Sequence, residues 1–269
     1  MESYPSGPLA NYVKSFWRMS CSLPCNQKLL TRDIPNGDLH VLFNLGTPFK
    51  SQKEGVQHEF TGGIIKGQQT SFLQMVQSDG FDGFGISFYP WGLSPFINLP
   101  TKELYNLTVD VNDVFDPTLP ERLYGLAFKE QQALIESFLI KKLKDYRSKS
   151  PLVEFISADV IHKKGQVSIS SYNEKHNISQ KHLSRCFHEL IGLTPKKLAK
   201  LSRVNAVIED INKSNDPVDW MELVLKNHYH DQAHMIKEFK QVVGLSPNKF
   251  MNTADTLYHR FSAHLLTLG

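Results

Sequence analysis

The segments "FHELIGLTPKKL" (187–198) and "FKQVVGLSPNKF" (239–250) align at a constant offset of 52 residues. They share Phe, three residues, Ile/Val, Gly-Leu, Thr/Ser-Pro, one residue, Lys and an apolar residue. The register extends backwards, pairing Leu183 with Met235, Arg185 with Lys237, His182 with His234 and Gln180 with Gln232. Ser179 pairs with Asp231, and both are residue types that cap helix N-termini. Before that point an offset of 51 fits better, matching Asn173 to Val224 and Asn177 to His228. One extra residue therefore sits in the turn "HYHD" relative to "NIS". This repeat restricts the fold more than any composition could. Each unit reads as a helix, a tight turn, a capped helix and a Gly-Leu-Thr/Ser-Pro exit. Two helix-turn-helix units result, at 168–195 and 219–247, joined by a helix through "PKKLAKLSRVNAVIEDI".

The same register bears on "HYHDQAHMIKEF", which holds His228, His230, Asp231 and His234 within seven residues. Spaced like this, imidazoles and a carboxylate would suit the zinc of a hydrolase. The repeat explains these positions without a metal, so the chain reads as a protein that is not an enzyme and needs no cofactor. Cys21 and Cys25 in "CSLPC" lack a second ligand pair and read as two small side chains, and the three cysteines give no disulfide framework.

Charge is unevenly spread. Residues 1–159 hold 15 Lys+Arg against 17 Asp+Glu, whereas residues 160–269 hold 15 against 10 and nine of the eleven histidines. A basic, His-rich C-terminal part suggests an anionic partner. Nothing approaches the ~18 apolar residues of a membrane helix. "MESYPSGPLANYVK" has no apolar run and does not read as a secretory signal, so a cytoplasmic protein with no membrane partner is expected.

Upstream, "DLHVLFNLG", "GGIIKGQQTSFLQMVQSDG" and "FDGFGISFYPWG" are apolar runs bounded by turn formers, which reads as a β-rich sheet or barrel to about Thr108. Leu134, Ile135, Phe138, Leu139 and Leu143 then form a helical stripe, either a dimer helix or one packed on the barrel. "YRSKSP" (146–151) reads as a hinge. The fold class expected is α+β: a β-rich, barrel or cupin-like domain with helices (1–148), then an all-α domain (151–255) of two helix-turn-helix units and a linker helix.

With these residues in view, 152–252 resembles the DNA-binding domain of the AraC/XylS family of bacterial transcription regulators. "VSISSYNEKHNISQKHLSRCFHELIGLTPKKL" carries the family's spacing from Ile169 to Pro195, and "YHDQAHMIKEF" with "GLSP" is closer still. Asn173 and Val224 stand where the family usually has Ala, and Asn177 and His228 where its turn usually has Gly. Asn tolerates a left-handed backbone, whereas His there would be uncommon. The resemblance implies sequence-specific binding of promoter DNA, contact with RNA polymerase, and activation more than repression. It also implies an N-terminal domain that senses a small-molecule effector, forms a homodimer, or both.

A recognition helix meets the major groove with its N-terminal turns. Gln180, Lys181, Ser184 and Arg185 on the first, and Gln232, Ala233, His234, Ile236 and Lys237 on the second, are the candidate base-facing residues. Arg or Lys suits guanine, Gln adenine and Ile a thymine methyl. Lys196, Lys197 and Lys249 are candidates for phosphate. Each has a plainer alternative: Arg185 as an internal salt bridge, the lysines and glutamines as solvated surface, His182 and His234 as packing. Leu183, Phe187, Met235 and Phe239 should point inward, and Trp220 and Tyr229 read as core. His40, Phe43, Asn44, Tyr89 and Trp91 are candidate effector liners or simply core aromatics and their neighbours. A helix-turn-helix adaptor that binds protein is a third reading, which a surface depleted of Lys and Arg would have favoured.

Overall fold

The computed structural model describes residues 1–21, 28–46, 49–53, 56–78, 81–144, 146, 150–214 and 218–252. Cys25, residues 147–149 of the hinge and both expected domain ends, 148 and 255, lie outside these residues.

Among the described residues ten strands form two antiparallel sheets. Strands β1 (Glu2–Ser3), β2 (Val13–Cys21), β9 (Phe81–Phe88), β4 (Leu39–Asn44), β7 (Gly63–Lys66) and β10 (Thr108–Asp110) lie side by side in that order. The second sheet runs β3 (Lys28–Asp33), β8 (Leu73–Ser78), β5 (Phe49–Lys53) and β6 (Val56–Phe60).

Side chains alternate across a pleated sheet, and the register turns that alternation into two contrasting rows. Phe16, Ile86, Val41 and Ile65 line up across β2, β9, β4 and β7, and all four are buried in one apolar core. The adjacent row, Ser15, Ser87, His40 and Lys66, falls on the opposite face. Lys66 reaches the second sheet through Asp33 at 2.5 Å, so this polar row faces the space between the sheets.

Helix α1 spans Leu119–Leu123 and α2 Phe128–Leu143. The apolar stripe of α2 packs on the six-stranded sheet: Ile135 and Leu139 are fully buried, with Leu134, Phe138 and Leu143 beside them. Of the two readings of this helix, its observed contacts are those of a cover on the sheet.

Seven helices follow among the described residues: α3 (Pro151–His162), α4 (Ile169–Lys175), α5 (Gln180–Ile191), α6 (Pro195–Lys213), α7 (Trp220–Lys226), α8 (Gln232–Val243) and α9 (Pro247–Asn252). They share a core of Leu183, Phe187, Met235 and Phe239 with Leu198, Val204 and Val207 of α6. Tyr229 is buried in it and Trp220 is half-buried against it. Ile34 and Trp91 of the β-rich part enter the same core.

The two parts are docked, which the hinge reading did not anticipate. The β-rich part meets both helix-turn-helix units at equivalent corners. Thr101 and Gln68 lie against Gly192 after α5, and Phe72 lies against Gly244 after α8. Phe72 N–H donates to the Val242 carbonyl at 2.8 Å, and Arg32 donates to the Val243 carbonyl at 3.3 Å. A Cβ at Gly244, whose φ is +77°, would stand 2.1 Å from the Phe72 ring, so glycine is required there both for the left-handed cap and for the docking.

Candidate nucleic-acid interface

The two units are built alike from local chemistry. Ser168 and Asp219 cap the first helices, accepting from Ser171 N–H and from Met221 and Glu222 N–H. At the turn, Ile178 N–H donates to the Asn173 carbonyl and Tyr229 N–H to the Val224 carbonyl, each at 3.0 Å. Asn177 and His228 both adopt the left-handed backbone, with φ of 48° and 54°. His228 thus takes the place of the usual glycine without altering the turn.

After the turn, Ser179 accepts from His182 N–H at 3.2 Å, and Asp231 accepts from His234 N–H at 2.7 Å. Gly192 and Gly244 close α5 and α8 in the left-handed conformation. The hydrogen bonds of the turn follow the offset of 51 and the caps of α5 and α8 that of 52, so His230 is the inserted residue. Its ring contacts the Asp231 carboxylate at 3.0 Å. The His234 N–H and then His230 hold the Asp231 carboxyl below its usual range, as suits a charged cap.

Within "HYHDQAH", His230 and His234 are engaged with separate partners. His230 pairs with Asp231, while the His234 ring stands edge-on to Tyr229 and 3.6 Å from Glu238. Among the described residues no three His, Cys, Asp or Glu side chains are grouped to hold a metal ion.

Gln180, Lys181 and Arg185 on α5, and Gln232, Ala233, His234 and Lys237 on α8, are exposed, with Ser184 and Ile236 half-buried beside them. The two helices present their outer faces with different internal contacts. The Arg185 guanidinium lies 3.3 Å from His182 Nδ1, whereas His234 turns toward Tyr229 and Glu238.

The lysines diverge. Lys196 and Lys249 are exposed at the starts of α6 and α9. Lys197 is drawn to the β-rich part, donating to the Tyr105 hydroxyl at 2.7 Å with its ammonium 4.6 Å from the ring centroid. Lys200 and Arg203 were not among the sequence candidates. With Lys196 they line a groove of about 530 Å³ between the units, alongside Gln180, Asn173 and Glu238. Their i, i+4, i+7 spacing on α6 was a legible signal of a shared face.

Of the five candidate effector liners only Tyr89 and Trp91 are stacked together, and the other three sit in different settings. Phe43 is buried in the sheet–helix core, on the face opposite His40 and Asn44. Asn44 closes a turn, donating to the Thr61 carbonyl and accepting from Gly46 N–H. Tyr89 and Trp91 stack 5.1 Å apart at the docking surface, and the Trp91 indole donates to the Asn11 carbonyl. His40 lies in the polar row, 3.1 Å from Ser87 Oγ. Burial, then the charges of Lys66 and Lys14, hold its imidazole well below the usual value.

Residues 172–253 match a family described as a helix-turn-helix domain, and residues 1–110 match one described as a domain of unknown function (DUF6597). No curated protein matches the chain. Solved structures with a similar fold include ToxT from Vibrio cholerae, 11% identical over 89% of this chain and 98% of that one, with a TM-score of 0.51. Another is ToxT from Vibrio cholerae O395 bound to (E)-4-(8-methylnaphthalen-1-yl)but-3-enoic acid, 12% identical over 89% and 99%, also with a TM-score of 0.51. At such identities the likeness is one of fold. No helix among the described residues is long and apolar enough to cross a membrane.

Proposed function

Because the chain carries an AraC/XylS-type helix-turn-helix domain behind a β-rich domain, we propose that it reads promoter DNA with α5 and α8 in successive major grooves. It is a DNA-binding regulator of transcription by domain type. The reading of the individual side chains is ours. The single observation that carries it is the repeated exposed face. Two capped helices in equivalent settings offer Gln180, Lys181 and Arg185 on one side and Gln232, His234 and Lys237 on the other. Base edges are read by such donors and acceptors at a helix N-terminus, and phosphates by nearby cations. In this scheme Lys196 and Lys249 serve the backbone. Lys197, held by Tyr105, does so only if the docking loosens.

Occupancy would act as a cytoplasmic activator through RNA polymerase, a reading supported by the family resemblance alone. The docking of the β-rich part on both units supports our reading that it tunes binding in response to a small-molecule effector or to dimerisation. The domain division that fits this scheme is 1–148 and 151–255.

The test is selection of random-sequence duplexes by the purified full chain, followed by footprinting on the recovered site. Two protected patches on one face of the duplex, about 34 Å apart, are expected. A single patch, or no enriched sequence, would count against reading by two helices.

A further inference from the structure

We propose that Arg203 and Glu238 fix the spacing at which the two units read DNA, acting as positioning residues for the second recognition helix. The inference rests on the reading of the chain as a DNA-binding protein. Arg203 projects from the middle of α6 and touches both halves of the helical domain. Its Nη1 donates at 3.2 Å to the carbonyl of Gly165, in the turn between α3 and α4 that leads into the first unit. Its Nη2 donates at 3.2 Å to each carboxylate oxygen of Glu238, on the outer half of α8 in the second unit. The guanidinium also lies 5.7 Å from the ring centroid of Tyr229, in the second unit's turn.

The joint is built with little slack. Gly165 has a φ of +73°, and a Cβ there would stand 2.0 Å from the Ala199 carbonyl, so this turn lies directly on α6. Beside it, Gln166 Nε2 donates at 3.0 Å to the Lys226 carbonyl at the end of α7, which ties the approach to the first unit directly to the second. The Arg203 and Glu238 side chains are only 21% and 13% exposed, which separates this pair from a solvated surface bridge. The planar guanidinium also restricts orientation, because its Nη1 is held by the Gly165 carbonyl while its Nη2 holds the Glu238 carboxylate, a geometry a lysine at the same place would not fix.

Glu238 has a further contact that ties the joint to the reading face. Its Oε1 lies 3.6 Å from His234 Nε2, one turn nearer the start of α8. The chain of contacts therefore runs from the turn leading into the first unit through Arg203 and Glu238 to a residue on the reading face of the second. Each added base pair moves one half-site by about 3.4 Å and rotates it by roughly 35° relative to the other. A rigid joint matches one spacing, and a loosened joint tolerates several.

The test uses the full-length protein and the duplex recovered from a random-sequence library, with one or two base pairs inserted between its half-sites. Wild type is expected to lose about tenfold or more in affinity on insertion of one base pair. E238Q is expected to lose only about threefold or less on the same insertion, while its affinity for a duplex carrying only the half-site read by α5, which Glu238 does not touch, stays at the wild-type level. R203M/E238L removes both charges together, which avoids stranding a buried ion, and it should show the same relaxed spacing. A merely structural role would weaken binding to the single half-site and leave the spacing penalty intact. An equal penalty in wild type and both variants overturns the inference, as does a wild type indifferent to spacing. Failure to recover any duplex removes the DNA-binding reading and this inference with it.

Discussion

At the scale of single residues, the two turns show what a helix-turn-helix can accept in place of glycine. Asn177 and His228 both take the left-handed backbone. Asparagine does so at little cost, whereas histidine pays a steric penalty. His228→Gly should therefore raise stability by about 0.5–1 kcal/mol, after the entropy of the added glycine is deducted. Asn177→Gly should change it less, and urea unfolding of the two variants distinguishes them. The caps obey the same local logic. Ser179→Ala removes the acceptor for His182 N–H and should cost about 1 kcal/mol. His40 makes a prediction about pH. Its folded-state value is depressed, so the folded protein keeps it neutral where the unfolded chain, near 6.5, takes up a proton. Stability from this group is present above about pH 6.5 and is lost as pH falls toward the folded value. The melting temperature should fall less between pH 7.5 and 5.5 in His40→Gln than in wild type, and equal falls would remove His40 as the cause.

At the scale of elements, what the sequence made legible was what local chemistry decides. The repeat located α5 and α8 with their caps at Ser179 and Asp231, and the helical period separated Leu183 and Met235 inside from Arg185 and Lys237 outside. Strand-rich character was legible in the same way, from β-branched and aromatic runs between turns. Sheet order was not, because pairing β9 between β2 and β4 is a choice among distant partners that no local pattern records. The polar row of Ser15, Ser87, His40 and Lys66 emerges only once that register is known. For the same reason sequence left His40, Phe43, Asn44, Tyr89 and Trp91 open as effector liners or core, and the structure puts Phe43 and Trp91 in two different cores. Phe239 tests the element-level packing. It is fully buried against Phe250 and the α6 core, and Phe239→Ala should cost about 3–5 kcal/mol by chemical unfolding.

At the scale of the whole molecule, the uneven charge pointed to a basic C-terminal module, but the docking of the β-rich part onto it lay beyond reach of sequence. It depends on two surfaces matching: Phe72 and Arg32 against the end of α8, Thr101 and Gln68 against the end of α5. Phe72→Ala should free the second corner alone. Hydrogen exchange should rise around Val242–Leu245 and stay unchanged around Leu190–Leu193, while a uniform rise would mean that the parts separate as one. DNA reading by both units is the central claim, and salt-dependent affinity for the selected duplex, in wild type and in R185A/K237A, tests it most directly. Between ~50 and ~200 mM salt the wild-type affinity should fall by orders of magnitude as counterions are displaced from phosphates, and the double variant should bind more weakly throughout. Affinity that ignores salt, or that is the same in the double variant, would contradict it.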